Sequence, residues 1–232
     1  NVDFVREQAG KALFQVKNAM IMGGSRIAQK TIQYLPNNIN TKMLERDKEK
    51  CYFLAERLNN TLIINADGRN VDALRSEGIQ EIDAFVATTA NSEANILACL
   101  EAKRLGVKKT VAEVENIDYI QLAEDLDIGT VINKKMIAAS YIYQLTLDAD
   151  VLEVRSLTSA DAEVVEFVAK EGSKITKSQI KSIRLPENVN IGGIVRDGVG
   201  SIVYGNTQIL PNDHVIVFCI SSAIRKVETL FN

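Results

Sequence analysis

A chain of 232 residues, 46% hydrophobic and 25% charged, has ordinary globular composition and suits one large domain or two unequal ones. A net charge of −3, no tryptophan and 6% aromatic residues leave neither the positive field nor the stacking surface that nucleic-acid binding needs. No apolar run approaches the roughly 18–20 residues of a membrane span, and one histidine with three scattered cysteines (Cys51, Cys99, Cys219) reads as reduced thiols, not as a metal set.

Residues 1–17 read as a leading helix or connector, since acidic Asp3 and Glu7 and the lack of an apolar core argue against a signal peptide. A first strand over 17–22 stops at Gly23-Gly24. The helix after it places Ala28, Ile32 and Leu35 on one face. A second strand over 41–45 leads to a helix whose Cys51, Leu54, Ala55 and Leu58 form one apolar stripe. Strands follow at Thr61–Asn65, Ala84–Ala87 and Lys109–Glu113, with helices near Val71–Ser76, 92–105 and 117–126. Short strands alternating with helices predict a parallel sheet covered on both faces.

A longer helix is predicted over 133–147, and after it the pattern changes. Leu152 and Val154, then Val165 and Phe167, follow period two. Asp197-Gly198 between two apolar runs predicts a hairpin turn, 215–220 a buried strand, and Ile224, Val227 and Leu230 a closing helix. The expected fold class is α/β: a Rossmann-like parallel sheet over 18–148, then a smaller α+β domain over 149–232.

The loop Gly23-Gly24-Ser25-Arg26-Ile27-Ala28 lies between a strand and a helix, where a dinucleotide fold carries its glycine fingerprint. Gly23 suits the tight turn, while Ser25 and Ala28 stand at the second and third glycine positions. Ala28 still permits close helix–strand packing, whereas the Ser25 side chain either offers a hydrogen bond to phosphate or excludes it. Glu45 ends the second strand about 20 residues on, where an acidic group accepts ribose hydroxyls. Two readings stay open there, a ribose acceptor or a solvated strand end. Arg26, in the first helical turn, reads as a phosphate contact or as a surface arginine. His214 reads as a strand-end residue, Asp47, Asp67 and Asp83 as helix caps or flanks, and the Lys103, Arg104, Lys108, Lys109 group as a complement to a helix C-terminus. No catalytic set assembles near the loop, so an enzyme is not expected.

The segments NAMIMGGSRIA, LERD (44–47), NADG (65–68) and DAFVATTANSEANILACLEAKRLGVKK (83–109), the helix over 132–147, LPENVNIGGIVRDG (185–198) and LPNDHVIVF (210–218) stand in one order. In these the chain resembles the RCK family (regulator of potassium conductance, also called KTN), and within it the second repeat of the Trk-type potassium-uptake members. The resemblance implies an RCK N-lobe that binds NAD(H) or ATP/ADP and an RCK C-lobe after it. By position, Gly23, Gly24 and Ser25 would form the phosphate loop and Arg26 would approach phosphate. Glu45 would hold ribose, Arg46, Asp67 and Gly68 would border the adenine, and Thr88 would line the cleft. Ser25 and Ala28 depart from the family's glycines, so a degenerate repeat without nucleotide stays open. The resemblance further implies a homo-oligomer at the cytoplasmic face of the membrane, a TrkH/TrkG-like potassium channel subunit as partner, and a first repeat ahead of this chain.

Overall fold

The computed structural model describes residues 14–147, 150–157 and 162–232, so most of the expected leading helix over 1–17 lies outside the described residues. Two compact units are present, Phe14–Lys134 and Lys135–Asn232. The division falls at the head of the longer helix, where sequence patterning places it near residue 149.

In the first unit β1 (Asn18–Met22), β2 (Asn40–Glu45), β3 (Thr61–Asn65), β4 (Ala84–Ala87), β5 (Lys109–Glu113) and β6 (Thr130–Ile132) form one sheet in the order β3-β2-β1-β4-β5-β6. Every neighbouring pair is parallel. Between them run α1 (Arg26–Tyr34), α2 (Lys48–Ala55), α3 (Val71–Ser76), α4 (Ser92–Arg104) and α5 (Asp118–Asp125). The chain starts in the middle of the sheet, builds outward to β3, then crosses back to β4. The carboxyl ends of β1 and β4 therefore part at a topological switch point, which opens a crevice there.

The central strand is apolar on both faces: Ala19, Met20, Ile21 and Met22 are all buried. Ala28 is fully buried and lets α1 press onto the sheet in a cluster with Ile21, Met43, Leu54 and Leu58. Ala55 departs from the predicted stripe and is exposed. Helix α2 ends at Ala55, and Leu58 enters the core from the turn beyond, so the buried seam runs through Cys51 and Leu54 alone. Strand β6 is absent from the sequence reading, because three half-exposed residues are too few for an alternation to register.

Helix α6 (Lys134–Gln144) follows β6 at once. Its first ammonium, on Lys134, lies 3.0 Å from buried Glu113 at the end of β5 and also pairs with Glu115. The hydrogen bonds it donates to Glu115 and Glu113 hold that ammonium's pKa above its ordinary value.

The second unit is an antiparallel sheet of β7 (Val151–Leu157), β8 (Ala162–Val168), β9 (Val189–Arg196), β10 (Val199–Ile202) and β11 (His214–Cys219), in the order β10-β9-β11-β8-β7, closed by α7 (Ile224–Phe231). Val165, Phe167, Ile191, Ile194, Val215 and Val217 bury one face against Ile224, Val227 and Phe231 of the helix. Phe231 stacks on Phe167 with centroids 4.5 Å apart. Asp197 (φ 51°) and Gly198 (φ 76°) both occupy the left-handed region, the hairpin geometry that an Asp-Gly pair favours. Asn212 adopts it too, at φ 67°. The period-two reading of β7 needs one correction: Val154 is buried but Leu152 is 48% exposed. The pairing with β8 shifts between Val151 and Glu153, and that extra residue turns Leu152 outward and Val151 toward the core.

Candidate functional site

A cleft of about 410 Å³ lies at the carboxyl ends of the parallel strands, wholly within the first unit. Its floor is the turn from β1 to α1. Gly23 has φ +95°, donates its amide to the Leu44 carbonyl at 2.9 Å, and would place a Cβ 2.9 Å from Thr89 Cγ2. A Cβ on Gly24 would collide with Leu54 Cδ1 and stand 3.1 Å from Glu45 Oε2. Only glycine fits this sequence of contacts.

Ser25 is the N-cap of α1, and its Oγ accepts the Ala28 amide at 3.1 Å. The amides of Ser25, Arg26 and Ile27 have no acceptor among the described residues. They add to the positive end of the helix dipole, the arrangement that receives an anion. The serine side chain thus completes the helix end, and its backbone still faces the cleft.

Glu45, 7% exposed, ends β2 against this loop. Its Oε2 accepts the Gly24 amide at 2.9 Å and the Lys50 ammonium at 2.7 Å, and Oε1 accepts the Asp47 amide at 3.0 Å. Burial pushes its carboxyl pKa up, but Lys50 and the two amides outweigh that and hold it below the ordinary value. Across the cleft Asp67 holds Arg69 in a fork, with contacts of 2.5–3.1 Å. Those hydrogen bonds lower the Asp67 pKa to about 2. Gly68 lies under this rim, where a Cβ would meet Met22 Cγ at 2.5 Å.

Gly23, Gly24, Ser25, Glu45, Arg46, Asp67, Gly68 and Thr88 all line the one cleft. Arg26 does not: it is exposed on the first turn of α1, outside the lining. Thr88 is buried, and its hydroxyl reaches the Gly23 carbonyl only at 3.5 Å. Of the aspartates, Asp47 caps α2 through the Lys50 amide. Asp83 instead accepts the Lys17 and Asn18 amides and fixes the entry to β1. His214 pairs with Glu166 at 2.8 Å in the second unit.

Sequence reasoning passes over Lys50, Arg69 and the Thr89–Asn91 edge, which also line the cleft. It also misses Asn95, fully buried on α4. The Asn95 amide nitrogen donates to the Thr89 and Glu113 carbonyls, and its oxygen accepts the Thr89 amide and hydroxyl. That side chain ties the ends of β4 and β5 together behind the cleft. The available signal was a polar residue on the same helical stripe as Cys99 and Ala102.

Strand order, glycine turn, helix head and acidic strand end together define a doubly wound domain of Rossmann type, with a separate antiparallel domain after it. Two family models match in that order, the TrkA-N domain over residues 19–134 and the TrkA-C domain over 164–232. The chain belongs to this TrkA family. It is 34% identical over 194 residues to the Trk system potassium uptake protein TrkA homolog 2 of Methanosarcina mazei, covering 84% of this chain and 43% of that protein. With the Trk system potassium uptake protein TrkA of Vibrio alginolyticus it shares 32% over 219 residues, 93% of this chain and 48% of the other. The chain thus spans about half the length of the curated relatives it matches. Among solved structures, the GsuK RCK domain superposes with a TM-score of 0.58 at 13% identity, over 97% of this chain and 52% of that one. The GsuK channel bound to NAD gives 0.58 at 14% identity, over 100% and 43%. At that identity the likeness is one of fold.

Proposed function

We propose that this chain is the nucleotide-sensing part of a Trk-type potassium-uptake system, and that its cleft binds NAD(H) or an adenine nucleotide. The observation that carries this reading is the head of α1: its Ser25, Arg26 and Ile27 amides have no acceptor among the described residues, and Ser25 lines the same cleft as the buried Glu45 carboxylate. Phosphate would rest on the Gly23–Gly24–Ser25 backbone and ribose on Glu45, with Arg46, Asp67 and Gly68 at the adenine edge and Thr88 behind. The solved channel described as bound to NAD has the same fold, which supports the choice of ligand. The non-catalytic character of the reading is supported by the pairing of charges in the cleft. Glu45 is tied to Lys50 and Asp67 to Arg69, which leaves neither carboxylate poised as a general base.

The chain would act as a homo-oligomer at the cytoplasmic face of the membrane, beside a TrkH/TrkG-like channel subunit. Exposed Ile137, Tyr141 and Ile142 on α6 support self-association. No helix among the described residues is long and apolar enough to cross a membrane, which fits a peripheral role. Nucleotide would shift the assembly between conformations in proportion to its preference, with tenfold worth about 1.4 kcal/mol.

Isothermal titration with NADH, NAD, ADP and ATP tests the reading. Saturable binding is expected for at least one, weakened about tenfold by Glu45→Gln through loss of a charge-assisted acceptor. No heat with any of the four would remove the sensing role.

A second reading, a structural repeat that relays signals sensed elsewhere, is favoured by one observation. The Ser25 hydroxyl already serves as helix cap, and its Cβ stands where phosphate would approach. Ser25→Gly separates the two: a nucleotide affinity that only the variant shows would favour the second.

A further inference from the structure

Glu45 is the acceptor that the proposed ribose needs, and its carboxylate is already well occupied. The Asp47 amide takes one oxygen, and the Gly24 amide and the Lys50 ammonium take the other. A carboxylate offers about four acceptor positions, so about one is left for a ribose diol that brings two donors. Two of the present donors are backbone amides fixed by the glycine turn and by the entry to α2. Only the ammonium can leave without remaking the fold: the Lys50 side chain is 41% exposed on a flexible stem. It also stands beside the phosphate loop, with Cε 3.2 Å from the position of a Cβ on Gly24.

We propose that Lys50 is a specificity-determining residue, an internal competitor that the ribose diol displaces from Glu45 and that then pairs with the ligand's phosphate. This inference rests on the nucleotide reading above. The exchange conserves charge pairing, because the ammonium leaves one anion and meets another a short swing away. A nucleoside lacking phosphate forces the same displacement and returns no anion. Lys50 therefore sets the preference for phosphorylated ligands. Arg69 cannot substitute for it, being held in the Asp67 fork on the opposite rim.

Calorimetry of the whole chain with ADP and with adenosine reads this directly. The unmodified chain is expected to favour ADP. In Lys50→Gln, adenosine binding strengthens and the ADP-to-adenosine ratio falls about tenfold, the scale of one charge-assisted contact. Lys50→Arg keeps the ratio. An unchanged ratio in Lys50→Gln, with both ligands still bound, overturns the role of Lys50 alone. Failure of the unmodified chain to bind ADP overturns the exchange, and failure with NADH, NAD and ATP as well overturns the nucleotide reading beneath it. The unmodified protein gives an independent measure that does not depend on a variant folding. With carbon-13-labelled lysine, the Lys50 Cε resonance is expected to move on saturation with ADP and, differently, with adenosine. A resonance that stays put while ADP saturates the cleft sinks the exchange.

Discussion

At Gly68 a side chain would have nowhere to go, since Met22 Cγ and Sδ lie 2.5 and 2.7 Å from the Cβ position. Met22 is itself buried at the end of β1. Gly68→Ala is expected to push Met22 toward the cleft, costing about 1–3 kcal/mol in urea denaturation and weakening nucleotide binding in the same preparation. Asp213 poses a different problem. It is 1% exposed, and both oxygens meet Arg196, at 2.7 and 2.6 Å, while the Leu210 amide adds a third contact at 2.8 Å. Burial raises its carboxyl pKa, but Arg196 and that amide prevail and set it below the ordinary value. A carboxyl lowered in the folded state lends its full stability at neutral pH, above the unfolded value, and loses it as pH falls through the lowered folded value. Asp213→Asn is therefore expected to destabilise the second unit by about 3 kcal/mol at pH 7. The difference from the unmodified chain should shrink below pH 4 in parallel melts.

Among elements, α4 shows how a helix can organise a crevice it hardly enters. Asn95 makes four hydrogen bonds at the ends of β4 and β5, donating two and accepting two, and the one to the Glu113 carbonyl is buried. Asn95→Leu would leave the Glu113 carbonyl and the Thr89 groups without that partner, and a loss of about 3 kcal/mol in chemical denaturation is expected. The helices and strands themselves were legible because their residues carry periodic signals. The apolar run of β1, the Asp-Gly hairpin and the Ile224–Val227 spacing in α7 each matched what the chain does. Two things were illegible for physical reasons. The β7 irregularity reverses which neighbour faces inward, and nothing local at Leu152 announces it. The engagement of Glu45 by Lys50 depends on one turn of α2 standing over the glycine loop, a contact that neither residue's immediate neighbours encode.

On the scale of the molecule, each unit owns its core, and every residue lining the cleft belongs to the first. Alternating strands and helices made a parallel sheet legible, but not the order β3-β2-β1-β4-β5-β6, because pairing across the switch point joins segments distant in the chain. A bound nucleotide should therefore stabilise one unit and not the other. At a hundredfold excess over its Kd, a ligand adds about 2.7 kcal/mol. Calorimetric scans with NADH should raise one transition and leave the second where it was. A parallel rise of both would place the units in a single cooperative block.

The ion cluster at the root of α6 lies wholly in the first unit and neutralises a pair of acids there. The Lys134 ammonium is shared by Glu113, at the end of β5, and Glu115, two residues beyond it. With that cation gone, the two acids would lose the counter-charge they share, and like charges at such close quarters repel. Lys134→Ala is therefore expected to loosen the end of β5 and lower the melting point of the first unit, with the second unit's transition as internal control.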